Sequence, residues 1–160
     1  MVLNKINEFA KKELLIDVNL NSNDTYIDLE NKIILIHNKQ TINNKCFSLL
    51  HELGHVIQPV SLFQIEKKNI NVSKFLILEQ EINAWDIGWL IAKYLKIDNK
   101  LNYDTYVKES ANNLKSYIIM INEAGNKYIK TKAIDYTIKE NERLPEWLDV
   151  YKKVINQRLT

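Results

Sequence analysis

The chain has 160 residues, the size of one compact domain with its own core. Hydrophobic residues make up 46% and charged residues 26%, and the net charge is only +2, so the overall charge gives no case for binding nucleic acid or an anionic membrane surface. Arg143 and Arg158 are the only arginines, and the single cysteine, Cys46, excludes an intrachain disulfide and a cysteine-based zinc cage.

The charged start, MVLNKINEFAKKELL, lacks the apolar centre of a signal peptide. Apolar runs such as FLIL and IILI fall far short of the ~18 residues of a membrane span, so the expected location is the cytoplasm, with no membrane partner. Val2, Leu3, Ile6, Phe9, Ala10 and Leu14 recur at helical spacing and predict a first helix over residues 2–13. LIDVNL reads as a short strand and NSND as a turn. TYIDLE alternates Ile27 and Leu29 against Tyr26, Asp28 and Glu30, a half-buried strand, and KIILIHN has the β-branched density of a third. Strands joined by tight turns predict a small antiparallel three-stranded meander.

From Ile42 the period changes. Cys46, Leu49, Leu50, Leu53 and Ile57 recur at steps of three and four, with Thr41 or Asn43 as the cap and Pro59 as the stop. Residues 60–73 carry no strong period and predict a loop. KFLILEQEINAWDIGWLIAKYLKI predicts a long helix with Leu78, Ile82, Trp85, Trp89 and Ala92 along one face. DNKLNYD breaks the chain, and Tyr106, Ser110, Leu114, Tyr117 and Ile121 mark another amphipathic helix. After a second break at NEAGNK, the remainder reads as two more helices, with Pro145 near the start of the last. No repeat, low-complexity segment or linker divides the chain. The expectation is one α+β domain, with residues 1–98 as the core and 99–160 as a helical extension.

The chemistry sits in HELGH. An α-helix turns about 100° per residue, so with His51 at zero, His55 lies near 40° and Glu52 near 100°. Cys46, Leu50, Leu53 and Ile57 cluster on the far side. The helix thus turns an apolar stripe to the core and both imidazoles the other way. Histidines at i and i+4 on one face can place two ring nitrogens ~2.0–2.1 Å from one zinc ion. Glu52 lies too far round to be a third ligand in the same plane, and is well placed to take a proton from zinc-bound water. Gly54 between the ligands costs ~1 kcal/mol of helix stability relative to Ala, which points to close approach by another backbone or a ligand. The third ligand is expected on the next helix, at Glu79 or Glu81. Glu81 is preferred because Ala84 and Gly88 lie along its own face, and small residues let two helices cross closely. Cys46 and the tryptophans read as core, and His37 as a strand-end residue.

CFSLLHELGHVIQ followed by EINAWDIG resembles the ImmA/IrrE-type metallopeptidases and the compact minigluzincins, over about residues 25–95. The resemblance implies a zincin-like fold in which a small sheet packs on the HExxH helix and a second helix supplies the last ligand. It implies His51, His55 and Glu81 as zinc ligands and Glu52 as general base. Relatives often have Asn or Asp where this chain has Trp85, a polar group that orients a zinc-bound histidine. Asp86, Asn83 or a backbone carbonyl would have to replace it. The resemblance makes the activity zinc-dependent peptide hydrolysis, with a protein or peptide substrate such as a transcriptional regulator and no direct nucleic-acid contact. KIILIHN is the expected edge for the substrate, with His37, Tyr26, Tyr94 or Tyr103 as helpers for the oxyanion. The alternative is a zinc-stabilised interaction module with a silent or latent zincin core. An open zinc position separates the enzyme from a closed structural site.

Overall fold

The computed structural model describes residues 1–58 and 74–122, except for the side chains of residues 74–76, 79 and 116–122. Helix α1 (Val2–Glu13) buries Ile6, Phe9 and Ala10, the stripe its spacing predicts, and places Lys11 and Lys12 in its last turn, against the carbonyl end of the helix dipole. Leu14 and Ile16 are both buried, and exposed Leu15 between them turns the chain at φ 56°.

Three strands follow: β1 (Asp17–Ser22), β2 (Tyr26–Asp28) and β3 (Ile33–His37). They do not form the expected antiparallel meander. The order is β1-β3-β2, with β1 parallel to β3 and β2 antiparallel to it. Val18 and Ile27 both face Ile34 across the two ladders, and the β1–β3 register slips between Asn19 and Ser22. The reason lies in composition. Ile33 to Ile36 are apolar at every position, the pattern of a strand with neighbours on both sides, and Ile34 and Ile36 are completely buried. DVNLNS and YID alternate with polar residues and tolerate an edge. A meander would have put the shortest strand in the centre. KIILIHN therefore has no free edge for a substrate; the free edges among the described strands are the outer sides of β1 and β2.

Helix α2 (Ile42–Ile57) starts at Thr41, whose Oγ1 accepts the Asn44 N–H at 3.3 Å. It ends at Gln58, which takes φ −55° and ψ 140°, the extended backbone that a following proline requires. Helix α3 (Lys74–Tyr94) closes on Lys96 in the left-handed region (φ 54°). There Lys96 N–H donates to Lys93 O at 2.8 Å and Ile97 N–H to Ala92 O at 3.0 Å, a Schellman closure made without glycine. A 3-10 turn, Asp98–Lys100, leads to α4 (Tyr103–Asn122). Asn102 caps it, accepting the Thr105 N–H at 2.8 Å.

Helix α2 is the centre of the fold, packing against α1, β3 and α3, with α4 beyond α3. Leu49, Leu50 and Leu53 are fully buried, each contributing roughly 2 kcal/mol of apolar burial. Cys46 is a core residue, its thiol pushed up to about 11 by burial. Helix α3 is buried well beyond the one face its period marked, through Ala84, Ile87, Leu90 and Ile91, because α2 and α4 both pack on it. The expected loop over 60–73 and the two expected C-terminal helices lie outside the described residues. No described helix is long and apolar enough to cross a membrane.

Candidate metal centre

Two glycines and an alanine set the distance between α2 and α3. A Cβ on Gly54 would collide with the carbonyl oxygen of Ala84, and would lie 2.7 Å from its carbon and 2.8 Å from its Cα. A Cβ on Gly88 would lie 2.7 Å from the Leu50 carbonyl oxygen and 2.6 Å from the Tyr106 hydroxyl. Backbone therefore meets backbone at the crossing, as the glycine between the histidines and the small residues beyond Glu81 suggest.

That approach brings three side chains together. His51 Nε2 and His55 Nε2 are 3.1 Å apart. Glu81 reaches both, with Oε2 3.3 Å from His51 Nε2 and Oε1 3.4 Å from His55 Nε2. Four ligands at 2.0–2.1 Å in a tetrahedron are separated by about 3.3 Å, so the three observed spacings match the edges of one metal polyhedron. The chemistry of the donor set agrees. Burial alone raises the Glu81 carboxyl, but hydrogen bonds from His51 and His55 and their charge outweigh it and hold the carboxyl down at about 2. Glu81 is only 9% exposed, and a buried carboxylate facing two imidazole nitrogens is a donor set that could hold a cation. Burial lowers His51 and favours its neutral, ligating form. For His55, burial pulls the same way, but the Glu81 hydrogen bond and the charges of Glu81 and Glu52 raise it overall. Among the described residues, no fourth histidine, cysteine or carboxylate joins the group.

Glu52 is buried beside this group and is not part of it. Burial pushes its carboxyl up to about 7; His55 draws it down and Glu81 pushes it further up. A carboxyl poised there can take and return a proton near neutral pH.

The remaining expected residues divide. Glu81 joins the histidines; the Glu79 side chain lies outside the described residues. His37 closes its own turn, its Nδ1 accepting the Lys39 N–H at 3.1 Å and its N–H donating to Thr25 Oγ1 at 3.0 Å. Tyr26, Tyr94 and Tyr103 are exposed; Tyr94 packs on Phe9 and Tyr103 on Trp89. Neither Asp86 nor Asn83 supplies an acceptor for the histidines: His51 Nδ1 is buried without a partner among the described residues, and His55 Nδ1 pairs with Gln58.

Sequence reasoning missed two supports. Trp85 is core, as expected, but it also stacks on His51, with ring centroids 4.4 Å apart and planes 25° from parallel. Tyr106 holds Trp85 from α4, its hydroxyl donating to the Trp85 carbonyl at 2.5 Å and its ring meeting the indole edge-on at 5.2 Å. Gln58 lies three residues beyond His55, with Nε2 2.9 Å from His55 Nδ1. Helical spacing carried both signals, since Trp85 is i+4 from Glu81 and Gln58 is i+3 from His55.

No curated protein and no solved structure matches the chain. A family model does: Peptidase_M78, the IrrE N-terminal-like domain, matches residues 11–101, which include all of β1 to α3 and the three converging side chains. That match spans more than half of the 160 residues, and the chain belongs to the IrrE N-terminal-like domain family of peptidases.

Proposed function

We propose that this protein is a zinc metallopeptidase in which His51, His55 and Glu81 hold the metal and Glu52 is the general base. The observation that carries the reading is the convergence of two imidazole Nε2 atoms and one buried carboxylate at tetrahedral-edge spacings. When bound, zinc supplies a Lewis acid that polarises the scissile carbonyl and lowers the pKa of water towards ~7. Glu52 takes the proton of the attacking water on its carboxylate and returns it to the leaving amine nitrogen. Its burial keeps bulk water from competing for that proton. Among the described residues three side chains would hold the metal, and a site of three protein ligands would suit an enzyme better than a closed structural zinc site.

The substrate is a protein or peptide whose extended main chain pairs with an outer edge of the sheet, on β1 or β2, since β3 is enclosed. The likeness to ImmA/IrrE-type peptidases makes a transcriptional regulator the first substrate to test. A lone, buried, unpaired cysteine suits a reducing compartment, and we place the activity in the cytoplasm.

Metal analysis and peptide hydrolysis test the reading. The purified chain should carry one zinc per molecule. Glu52→Gln should keep the zinc and lose hydrolysis by a factor on the order of 100 or more. Glu81→Gln should lose the zinc. A chain that takes up no zinc from zinc-containing buffer, or an E52Q variant as active as the parent, would overturn it.

A further inference from the structure

The two histidines are supported by different devices. His51 lies flat against Trp85, and its Nδ1 has no hydrogen-bond partner among the described residues. His55 has a partner: Gln58, one helical turn further on. Gln58 is the C-cap of α2, its backbone N–H donating to Gly54 O at 3.0 Å. The residue is only 5% exposed, and its amide oxygen is shut off from bulk water. Nε2 stands 2.9 Å from His55 Nδ1, while Oε1 is buried and has no partner among the described residues.

An unpartnered buried carbonyl oxygen beside an imidazole nitrogen has a specific meaning. A neutral imidazole carries one proton, on one nitrogen or the other. With the proton on Nε2, Nδ1 is an acceptor and suits the Gln58 NH2 group. With the Nε2 lone pair given to a metal, the proton must sit on Nδ1, which is then a donor and needs an oxygen. Gln58 can meet both demands, because half a turn of its terminal torsion exchanges oxygen and nitrogen with almost no change in shape. His55 Nε2 points at His51 Nε2 and Glu81 Oε1, so Nδ1 is the nitrogen left for support.

We infer that Gln58 is the positioning residue for the metal centre: its Oε1 accepts the Nδ1–H of His55 when Nε2 is a ligand, and so sets both the ring's orientation and its tautomer. The inference rests on the zinc reading above. It assigns polar support of His55 to the end of α2, while α3, which carries Glu81, supports His51 with the flat face of Trp85. Outer groups of this kind typically change metal affinity by about 10–100-fold.

The test uses the full chain, zinc affinity by chelator competition, and the tautomer of His55 from the 15N shifts of its ring. Gln58→Leu keeps the bulk and removes the acceptor; Gln58→Glu keeps an acceptor in every orientation. Expected are a single Nδ1–H tautomer for His55 in the zinc-loaded parent, zinc affinity about 10–100-fold weaker in Q58L, and affinity recovered to within several-fold of the parent in Q58E. Thermal melting of each variant with a chelator present separates a folding defect from a binding one. If the parent binds zinc and Q58L binds it as tightly, the inference falls alone. It also falls alone if Q58L and Q58E are weakened equally, since Gln58 then only fills space. A parent that takes up no zinc removes the zinc reading and this inference together.

Discussion

At the crossing of α2 and α3, the residues that matter are the smallest: Gly54 lies against Ala84, and Gly88 against the Leu50 carbonyl. There is no room there for even one methyl group, because the main-chain atoms of Ala84 and Leu50 stand in its way, and the converging side chains inherit that precision. The sheet works by a looser rule. Its central strand is placed by bulk apolar character, its edges alternate with polar residues, and its parallel ladder slips register between Asn19 and Ser22 without disturbing the core. One region is specified by sterics at named atoms, the other by how much apolar surface each strand must hide. A site that needs three atoms at fixed spacings has to be built on the first kind.

Three experiments press on this difference. The largest effect is expected from Gly54→Ala. One methyl group at the crossing has nowhere to go, so stability should fall by about 3 kcal/mol or more in urea denaturation and zinc uptake should fall with it. An unchanged urea midpoint would mean that the two helices do not meet there. In the sheet, Ile34→Ala should cost about 2–4 kcal/mol, since its side chain is completely buried in the middle strand. Ile27→Ala, at its cross-strand partner on the edge, should cost only about 1 kcal/mol. A reversed ranking would restore β2 to the centre.

The smallest effect is electrostatic and has opposite signs in the two regions. Asp86 on α3 is pushed up to about 7 by burial, from 3.8. The folded state holds that proton more tightly, so stability is lost as pH rises from about 4 through about 7. Asp86→Asn should therefore gain on the order of 1–3 kcal/mol at pH 8 and nothing at pH 4. Asp28 on β2 is half-buried, and the Asn31 backbone N–H and side-chain amide lower it. Its contribution is present above its unfolded value and fades as pH falls below it. Asp28→Asn should thus lose a little stability at pH 8 and nothing in acid. Melting curves at both pH values read both signs, and a D86N gain that persists at pH 4 would show that desolvation of the charge is not the cause.

What could be read beforehand follows the same division. His51, His55 and Gly54 sit on one short helix, where 100° per residue fixes who faces whom, and Glu81, Ala84 and Gly88 obey the same arithmetic on α3. Those positions were legible because helical geometry is local. The meander failed because strand order is not local: the turns are compatible with adjacent pairing, and only competition for burial puts Ile33–Ile36 between its neighbours. Trp85 was legible as core and silent about His51. Stacking depends on how α3 is rotated against α2, and Tyr106 from a third helix sets part of that rotation.

The amino-acid sequence by itself determined the described helices and strands, the helical faces and which two histidines and glutamate come together, because period, capping and small-residue spacing act over a few residues. The tertiary structure alone decided the strand order, the stacked support of His51 and the amide beside His55. Each of these depends on which surfaces compete for the same buried space.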